Sequence, residues 1–267
     1  MIAAAPLIAV LTAMLAVMML AWIVQRGAGN AGWVDVFWTI GAGLSCAGVA
    51  LWPGPSVNQS RAFLVAALAI IWSFRLGLYV AARVARSETE DVRYASLRRD
   101  WGRAFQLRLF GLVIVQAPAT ALIAWSVFAA THASSAPLGV RDLLGASILA
   151  LAIGGEAIAD EQMRRFKADP GRGAVNDTGL WSLSRHPNYF FQWLGWLAYP
   201  AIGFEPSTPL SWTTWIAPAL MYLILRFGTG VPALESNLLK SRGDAFRAYQ
   251  SRVSAFFPMP PKRSLSP

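Results

Sequence analysis

Cysteine and histidine are almost absent from this chain, and charge of either sign is scarce. Cys46 is the lone thiol and lies inside an apolar run, which excludes an intrachain disulfide and a thiolate metal cluster. His132 and His186 are far apart in sequence, so no His-rich metal site is expected and none is assigned. Charged residues make up 14% of the chain, well below the roughly 25% of soluble domains, which argues against a soluble globular protein. A Walker loop, a GxSxG elbow and an HExxH pair are all missing. GAGNAG at 27–32 fits GxGxxG literally, but it links two apolar runs, follows no strand and has no acidic residue about 20 positions on. Internal repeats and low-complexity tracts are absent as well.

Hydrophobic residues account for 55% of the chain. Apolar runs of about 17 to 25 residues, long enough to cross a hydrocarbon core about 30 Å thick, fall at roughly 2–25, 33–52, 62–84, 106–130, 142–163, 187–203 and 211–231. Backbone amides facing lipid need partners within their own segment, so each run is expected to be helical. The reading is an all-α integral membrane protein, a bundle of seven transmembrane helices. With the N-terminus outside and the C-terminus cytoplasmic, nineteen of the 23 Lys and Arg residues fall on the inner side, the positive-inside pattern. The formal charge of +9 therefore orients the chain and needs no nucleic acid; attraction to anionic lipid or an anionic cofactor is a secondary reading. The first run lacks a basic lead and a clear cleavage site, so it is expected to be a retained helix.

We read 1–267 as a single membrane domain, with four helices over about 1–130 and three helices, loops and a tail over about 142–267. Ser87 followed by Glu88 and Glu90 predicts a helix start, and the Arg-rich stretch to 105 suits a helix on the inner surface. Pro170, Gly171, Gly173 and Gly179 predict a turn-rich loop over 164–186. From Pro232 a surface helix is expected to about Arg252, then the proline-punctuated FFPMPP.

Ionisable groups inside spanning segments cost at least about 2.5 to 3.5 kcal/mol at the helix centre, so each is a candidate functional residue. Arg75 lies midway along the third run, and Asp35 is either its partner or an interfacial helix cap. Glu156, Asp160 and Arg164 follow an i, i+4, i+8 spacing on one helical face, either as a ladder of intrahelical pairs or as a polar wall. The stretch GLWSLSRHPNYFFQ at 179–192 sets Arg185, His186, Asn188 and Gln192 directly against an apolar run. All of these map to the cytoplasmic half in the expected topology, which predicts a polar cavity open to the cytosol. Arg165, Lys167, Arg172 and Arg185 at its mouth would attract phosphate. Trp72, Tyr79, Tyr189, Phe190 and Phe191 either pack in the bundle or line a pocket for a flat apolar substrate.

Five stretches, VDVFW near residue 35, EDVRYASLRRDWG at 90–102, EAIADEQMRRFKADP at 156–170, DTGLWSLSRHPNYF at 177–190 and VPALE with AYQSRVSAFFP near the end, resemble bacterial membrane proteins bearing the steroid 5-alpha-reductase C-terminal domain. The resemblance spans nearly the whole chain. It implies a seven-helix bundle that binds NADPH in a cavity built from the C-terminal half, with the substrate on the side of the N-terminal helices. It further implies hydride transfer to the carbon–carbon double bond of a lipophilic enone, a 3-oxo-4-ene steroid or related isoprenoid. By matching position Glu156, Asp160 and Lys167 would contact the cofactor, as would Asn188 and Gln192, while Arg185 and His186 would meet phosphate or ribose. Arg164, Tyr189 and Glu235 complete that cofactor-binding set. Asp35 and Trp72 fall nearest the family's carbonyl-activating positions, with Tyr79 two turns beyond Trp72. Asp35 would need a raised pKa to donate a proton, and Trp72 donates only through its indole N–H. A monomer in a bacterial inner membrane, surrounded by membrane lipid, is the expected setting. RHPNY and the tail from Glu235 to Tyr249 also suggest an S-adenosylmethionine-dependent membrane methyltransferase, and a non-enzymatic lipid-binding protein is a third reading.

Overall fold

The structure is a computed structural model that describes residues 4–55, 57–87 and 89–262. Glu88, offered above as part of a helix start, Arg263 of the basic tail and the first residues of the opening run lie outside the described residues. Among those described, every extended element is a helix, and a single isolated bridge joins Ser184 to Ser254. Six helical stretches are long and apolar enough to cross a membrane. They are the framework of a helical membrane protein.

In chain order the N-terminal elements are α1 (Ala4–Ala28), α2 (Trp33–Ala50), α3 (Gln59–Arg86), α4 (Val92–Trp101), α5 (Phe105–Ile114) and α6 (Gln116–His132). They are followed by α7 (Val140–Ala168), α8 (Pro187–Trp196), α9 (Ala198–Gly203), α10 (Pro209–Trp212), α11 (Ile216–Phe227) and α12 (Val231–Arg252). Three expected spans are interrupted: the run at 211–231 is divided among the end of α10, a 3-10 turn at Thr213–Trp215 and α11, and proline explains the other two. Pro118 has no N–H for the carbonyl of Ile114, and the run at 106–130 breaks at Val115 between α5 and α6. Pro200 likewise cannot donate to Trp196, and the run at 187–203 becomes the short pair α8 and α9. The expected helix start at Ser87 is corrected too. Ser87 caps the C-terminus of α3, and Asp91 caps α4 by accepting the Arg93 N–H at 3.0 Å.

The described residues form two compact units. The first contains the chain up to Ala146 together with Ala198–Ala217; the second contains Ser147–Leu197 and the chain from Pro218. In the first, α2 and α3 approach so closely that a Cβ on Gly43 would overlap Ser73. Small residues permit this approach where lipid supplies no hydrophobic drive between helices. Ser73 uses the proximity to donate to the Thr39 carbonyl at 2.9 Å. α9 packs on α6, which explains why 198–217 belongs with the N-terminal helices.

One buried ion pair fixes α3 to the start of α7. Arg61 and Asp142 are 5% and 3% exposed, and their bidentate contact has Nε–Oδ1 at 2.7 Å and Nη2–Oδ2 at 3.1 Å. The Ser134 carbonyl accepts from Arg61 Nη1, and Asp142 accepts the Gly139 N–H. Breaking such a pair strands a buried charge, whereas replacing both partners with apolar residues removes the desolvation penalty with it. Asp142→Ala is expected to destabilise the protein by about 3–5 kcal/mol, and Arg61→Met combined with Asp142→Leu to recover most of that loss. Denaturant unfolding in detergent checks this; strictly additive effects of the two single changes would refute the coupling.

Candidate functional site

The second unit holds the polar residues that stand out in the sequence. Glu156 and Asp160 lie one turn apart on α7 and are 5% and 7% exposed, so both are buried within a helix that is otherwise apolar at that depth. Arg164 and Lys167 continue the same side of the helix toward its exposed end. Arg164 makes a two-point contact with Glu161, at 2.6 and 2.8 Å. On α8, His186 is the N-cap residue, Asn188 and Tyr189 occupy the first turn half-buried, and Gln192 is buried one turn on. α8 lies close to α7: the Phe191 ring covers Gly155, where a Cβ would collide with it, and Leu149 meets Gly195.

The turn before α8 is fastened to α7 by two bonds. Gly179, with φ of +57°, starts a 3-10 turn that a residue with a Cβ would enter only under strain. Leu180 N–H then reaches Gln162 Oε1, and Trp181 Nε1–H reaches the Ala159 carbonyl, both at 3.0 Å. The C-terminal tail fastens the other side. Arg185 N–H donates to the Ser254 carbonyl at 2.8 Å, Ser184 Oγ to the Phe256 carbonyl at 2.8 Å, and Met259 N–H to the Leu183 carbonyl at 2.9 Å. Phe256 and Phe257 pack edge-on or tilted against Trp193 and Tyr222, which gives the FFPMPP segment its apolar seat.

Glu235, four residues into α12, is the centre of this arrangement. Its carboxylate accepts Arg185 Nε and Nη2 at 2.7 and 3.2 Å, His186 Nε2 at 3.1 Å and Gln250 Nε2 at 2.7 Å. Arg185 spends a further donor on the carbonyls of Gln250 and Val253. The guanidinium expected to meet phosphate is thus committed to holding the motif in place. His186 is 1% exposed, and its ring stacks on Tyr189 at 5.5 Å. With Nε2–H donating to a carboxylate, Nδ1 carries the lone pair, and that buried atom has no partner among the described residues.

In the first unit, Asp35 sits in the opening turn of α2, and its carboxylate accepts Arg93 Nη2 at 2.7 Å and the Tyr94 hydroxyl at 2.8 Å. Arg93 also bonds Asp91, while Glu90 holds Arg98 and the Ala31 N–H, so the loop before α4 is tied to the start of α2. Burial would raise the Asp91 carboxyl, but Arg93 outweighs it and holds the group down at about 2. Trp72 is buried, Arg75 and Tyr79 follow it three and seven residues on along one face of α3, and the Arg75 guanidinium lies 5.6 Å from the Tyr79 ring centre. Asp35, Trp72 and Tyr79 thus belong to the first unit and all ten expected cofactor residues to the second. Tyr94 and Asn176 were not singled out in the sequence. The tyrosine stands three residues after Asp91, a spacing that carries no signal until the chain folds back onto α2.

The His186 environment sets a pH dependence. Burial pushes its imidazole below the ordinary value of about 6.5, against the pull of Glu235. An unfolded chain therefore takes up a proton near pH 6.5 that the folded chain takes up only at lower pH, so stability is intact above that range and declines as pH falls through it. Thermal unfolding in detergent is expected to show this decline, and His186→Gln to flatten it below pH about 6.5. An unchanged slope in the variant would assign the titration elsewhere.

No solved structure matches this chain. A relative from Schizosaccharomyces pombe, the uncharacterized protein C594.04c, is 27% identical over 229 residues. That alignment covers 77% of this chain and 65% of the yeast protein, so the chain spans less than two thirds of its relative's length. The family model described as "Protein of unknown function (DUF1295)" matches residues 21–253, and the chain belongs to that family.

Proposed function

We propose that this chain is an NADPH-dependent membrane reductase that transfers hydride to the carbon–carbon double bond of a lipophilic enone, of the 3-oxo-4-ene steroid or isoprenoid class. The setting proposed is a bacterial inner membrane, with seven crossings, the N-terminus outside and the second unit's polar residues toward the cytosol. The observation that supports this reading is the concentration of buried polar side chains on α7 and α8: Glu156, Asp160, His186 and Gln192 are all less than one-tenth exposed. Buried polar groups in a membrane segment are costly and tend to mark a ligand path.

The donor and acceptor types fit a dinucleotide. Glu156 and Asp160 carboxylates would accept ribose hydroxyls or a carboxamide NH₂, and His186 Nδ1 adds a buried acceptor with no donor among the described residues. Lys167 and Arg164, exposed further along α7, would meet the phosphates. Arg185 contributes by position, since its fork holds Glu235 and through it the His186 ring. NADPH, when bound, supplies the hydride. In the first unit Asp35 accepts from the Arg93 guanidinium and the Tyr94 hydroxyl, and the hydroxyl would be the proton donor. Asp35 would orient that hydroxyl, with Trp72 and Tyr79 walling the apolar substrate.

One feature favours a second reading. The buried charge of the α7 and α8 site is acidic and its arginine is already paired, which suits the sulfonium of S-adenosylmethionine and a methyl transfer. Thermal shift of the full chain in detergent separates the two. NADPH at a hundredfold its Kd is expected to stabilise the folded state by about 2.7 kcal/mol, S-adenosylmethionine to give no shift, and Asp160→Ala to weaken NADPH binding by about tenfold or more. A shift with S-adenosylmethionine alone would establish the methyltransferase reading, and no shift with either would leave a lipid-binding protein.

A further inference from the structure

The side of α7 turned away from Glu156 and Asp160 carries a continuous stripe of different character. Leu151, Gly154, Ile158, Gln162 and Arg165 recur every three or four residues, which puts them on one face, and Asp169 follows just past the helix end. At 100° per residue that face is about 180° from the one bearing Glu156, Asp160 and Lys167. Two cavities lie along it, both entirely within the second unit, and Gln162 lines both.

The first cavity, about 520 Å³, is an apolar groove. Its floor is Leu151, Gly154, Gly155 and Ile158, and its walls include Leu180 and Phe191. Leu151 and Ile158 are more than half exposed, and a Cβ at Gly154 would meet nothing within 4 Å. The second, about 600 Å³, continues past Gln162 into polar surroundings lined by Arg165, Arg172, Asn176 and Thr178. From Leu151 to Gln162 the helix rises about 16 Å, close to half of a hydrocarbon core about 30 Å thick. The apolar length of the groove thus equals the depth of one leaflet, and polarity begins where headgroups would lie.

The polar end has donors suited to phosphate. Asn176 is 6% exposed; its Oδ1 is occupied by the Thr178 hydroxyl at 3.0 Å, and its buried Nδ2 has no acceptor among the described residues. Arg172 gives Nη1 to the backbone carbonyls of Lys167 and Asp169, and among the described residues no carboxylate pairs with it. Arg165 is balanced by Glu161 at 2.6 Å. The cavity's two acids are engaged, Asp169 with the Gly171 N–H at 2.8 Å and Asp177 with Arg252 at 3.3 Å.

We infer that this stripe is a binding groove for one anionic phospholipid of the leaflet into which the C-terminal end of α7 emerges. An acyl chain lies over Gly154 against Phe191, and the phosphate is met by Arg172 and Asn176 Nδ2. Basic pockets beside membrane helices recognise anionic headgroups through this combination of apolar depth and surface cations. The inference goes beyond the reductase reading and does not depend on it, because it uses the other face of the helix. A soluble phosphate alone would leave the apolar length unused.

Native mass spectrometry of the full chain in dodecyl maltoside, titrated with dioleoyl phosphatidylglycerol, dioleoyl phosphatidylcholine or glycerol 3-phosphate, tests this directly. One phosphatidylglycerol is expected to bind about tenfold tighter than phosphatidylcholine. Arg172→Gln should weaken it about fivefold, the equivalent of about 1 kcal/mol for one surface cation. Gly154→Phe, which enters open space, should abolish the tight site. Equal affinity for both lipids, unaltered by either variant, would overturn the proposal in favour of general lipid contact. Glycerol 3-phosphate binding as tightly as phosphatidylglycerol, indifferent to Gly154→Phe, would overturn it in favour of a water-soluble phosphate ligand. Should Gly154→Phe fail to fold, the lipid ratio and Arg172→Gln still decide.

Discussion

Within the second unit the positions of Arg185 and His186 at the start of α8 depend on the Glu235 carboxylate. It collects four hydrogen bonds from three side chains, and two of those, Arg185 and His186, are adjacent residues that enter the site from the loop. A carboxylate placed this way balances the one guanidinium that would otherwise be left half-buried at 11% exposure. Hydrogen bonds to charged partners are worth more than neutral ones, and a partner removed from a buried set leaves its counterpart unsatisfied. The result is that the His186 tautomer is fixed by α12, while the ring itself is positioned at the N-cap of α8. Helix α12 is polar in composition, yet it decides what the buried ring can do.

Both units solve the same problem in the same manner. An apolar chain that retains a few charges must pair them, and where the pair is buried its value lies in fixing one geometry rather than in net stability. In the first unit Arg61–Asp142 locks the start of α7, and Arg93 with Tyr94 fixes Asp35 at the start of α2. That second lock makes Asp35 an oriented acceptor, engaged by a guanidinium and a phenol at once.

Much of this was legible in the sequence, for physical reasons that differ by element. Helices α1, α3 and α7 were readable because their apolar runs are long and uninterrupted, while the breaks at Val115 and Leu197 were missed although Pro118 and Pro200 were in view. Proline is tolerated inside membrane helices often enough that its presence does not decide between a kink and a stop. Glu156, Asp160 and His186 were found because polar residues at membrane depth are rare. Tyr94 and Asn176 were not found, because a tyrosine on a polar helix and an asparagine in a polar loop are ordinary until a distant partner gives them a role. The same reasoning applies to Arg185: composition shows a cation near the site, and only the fold shows that it is already held by a residue fifty positions away.

The tail makes the same point about backbone. Residues 183–185 run into α8 without belonging to a helix or a sheet of their own, and their polar atoms would be unsatisfied in an apolar setting. The segment 254–259 supplies the missing partners: the Ser254 carbonyl takes the Arg185 N–H, the Phe256 carbonyl takes the Ser184 hydroxyl, and the Met259 N–H reaches the Leu183 carbonyl. Ser184 Oγ in turn accepts the His186 N–H, so the N-cap of α8 is satisfied through a side chain that the tail itself orients. The prolines that follow Phe257 cannot donate, which keeps the segment extended and unable to wind into a helix that would withdraw those partners. A motif that reads as fourteen consecutive residues is therefore completed by a stretch some seventy residues later, and its shape is a property of the two together.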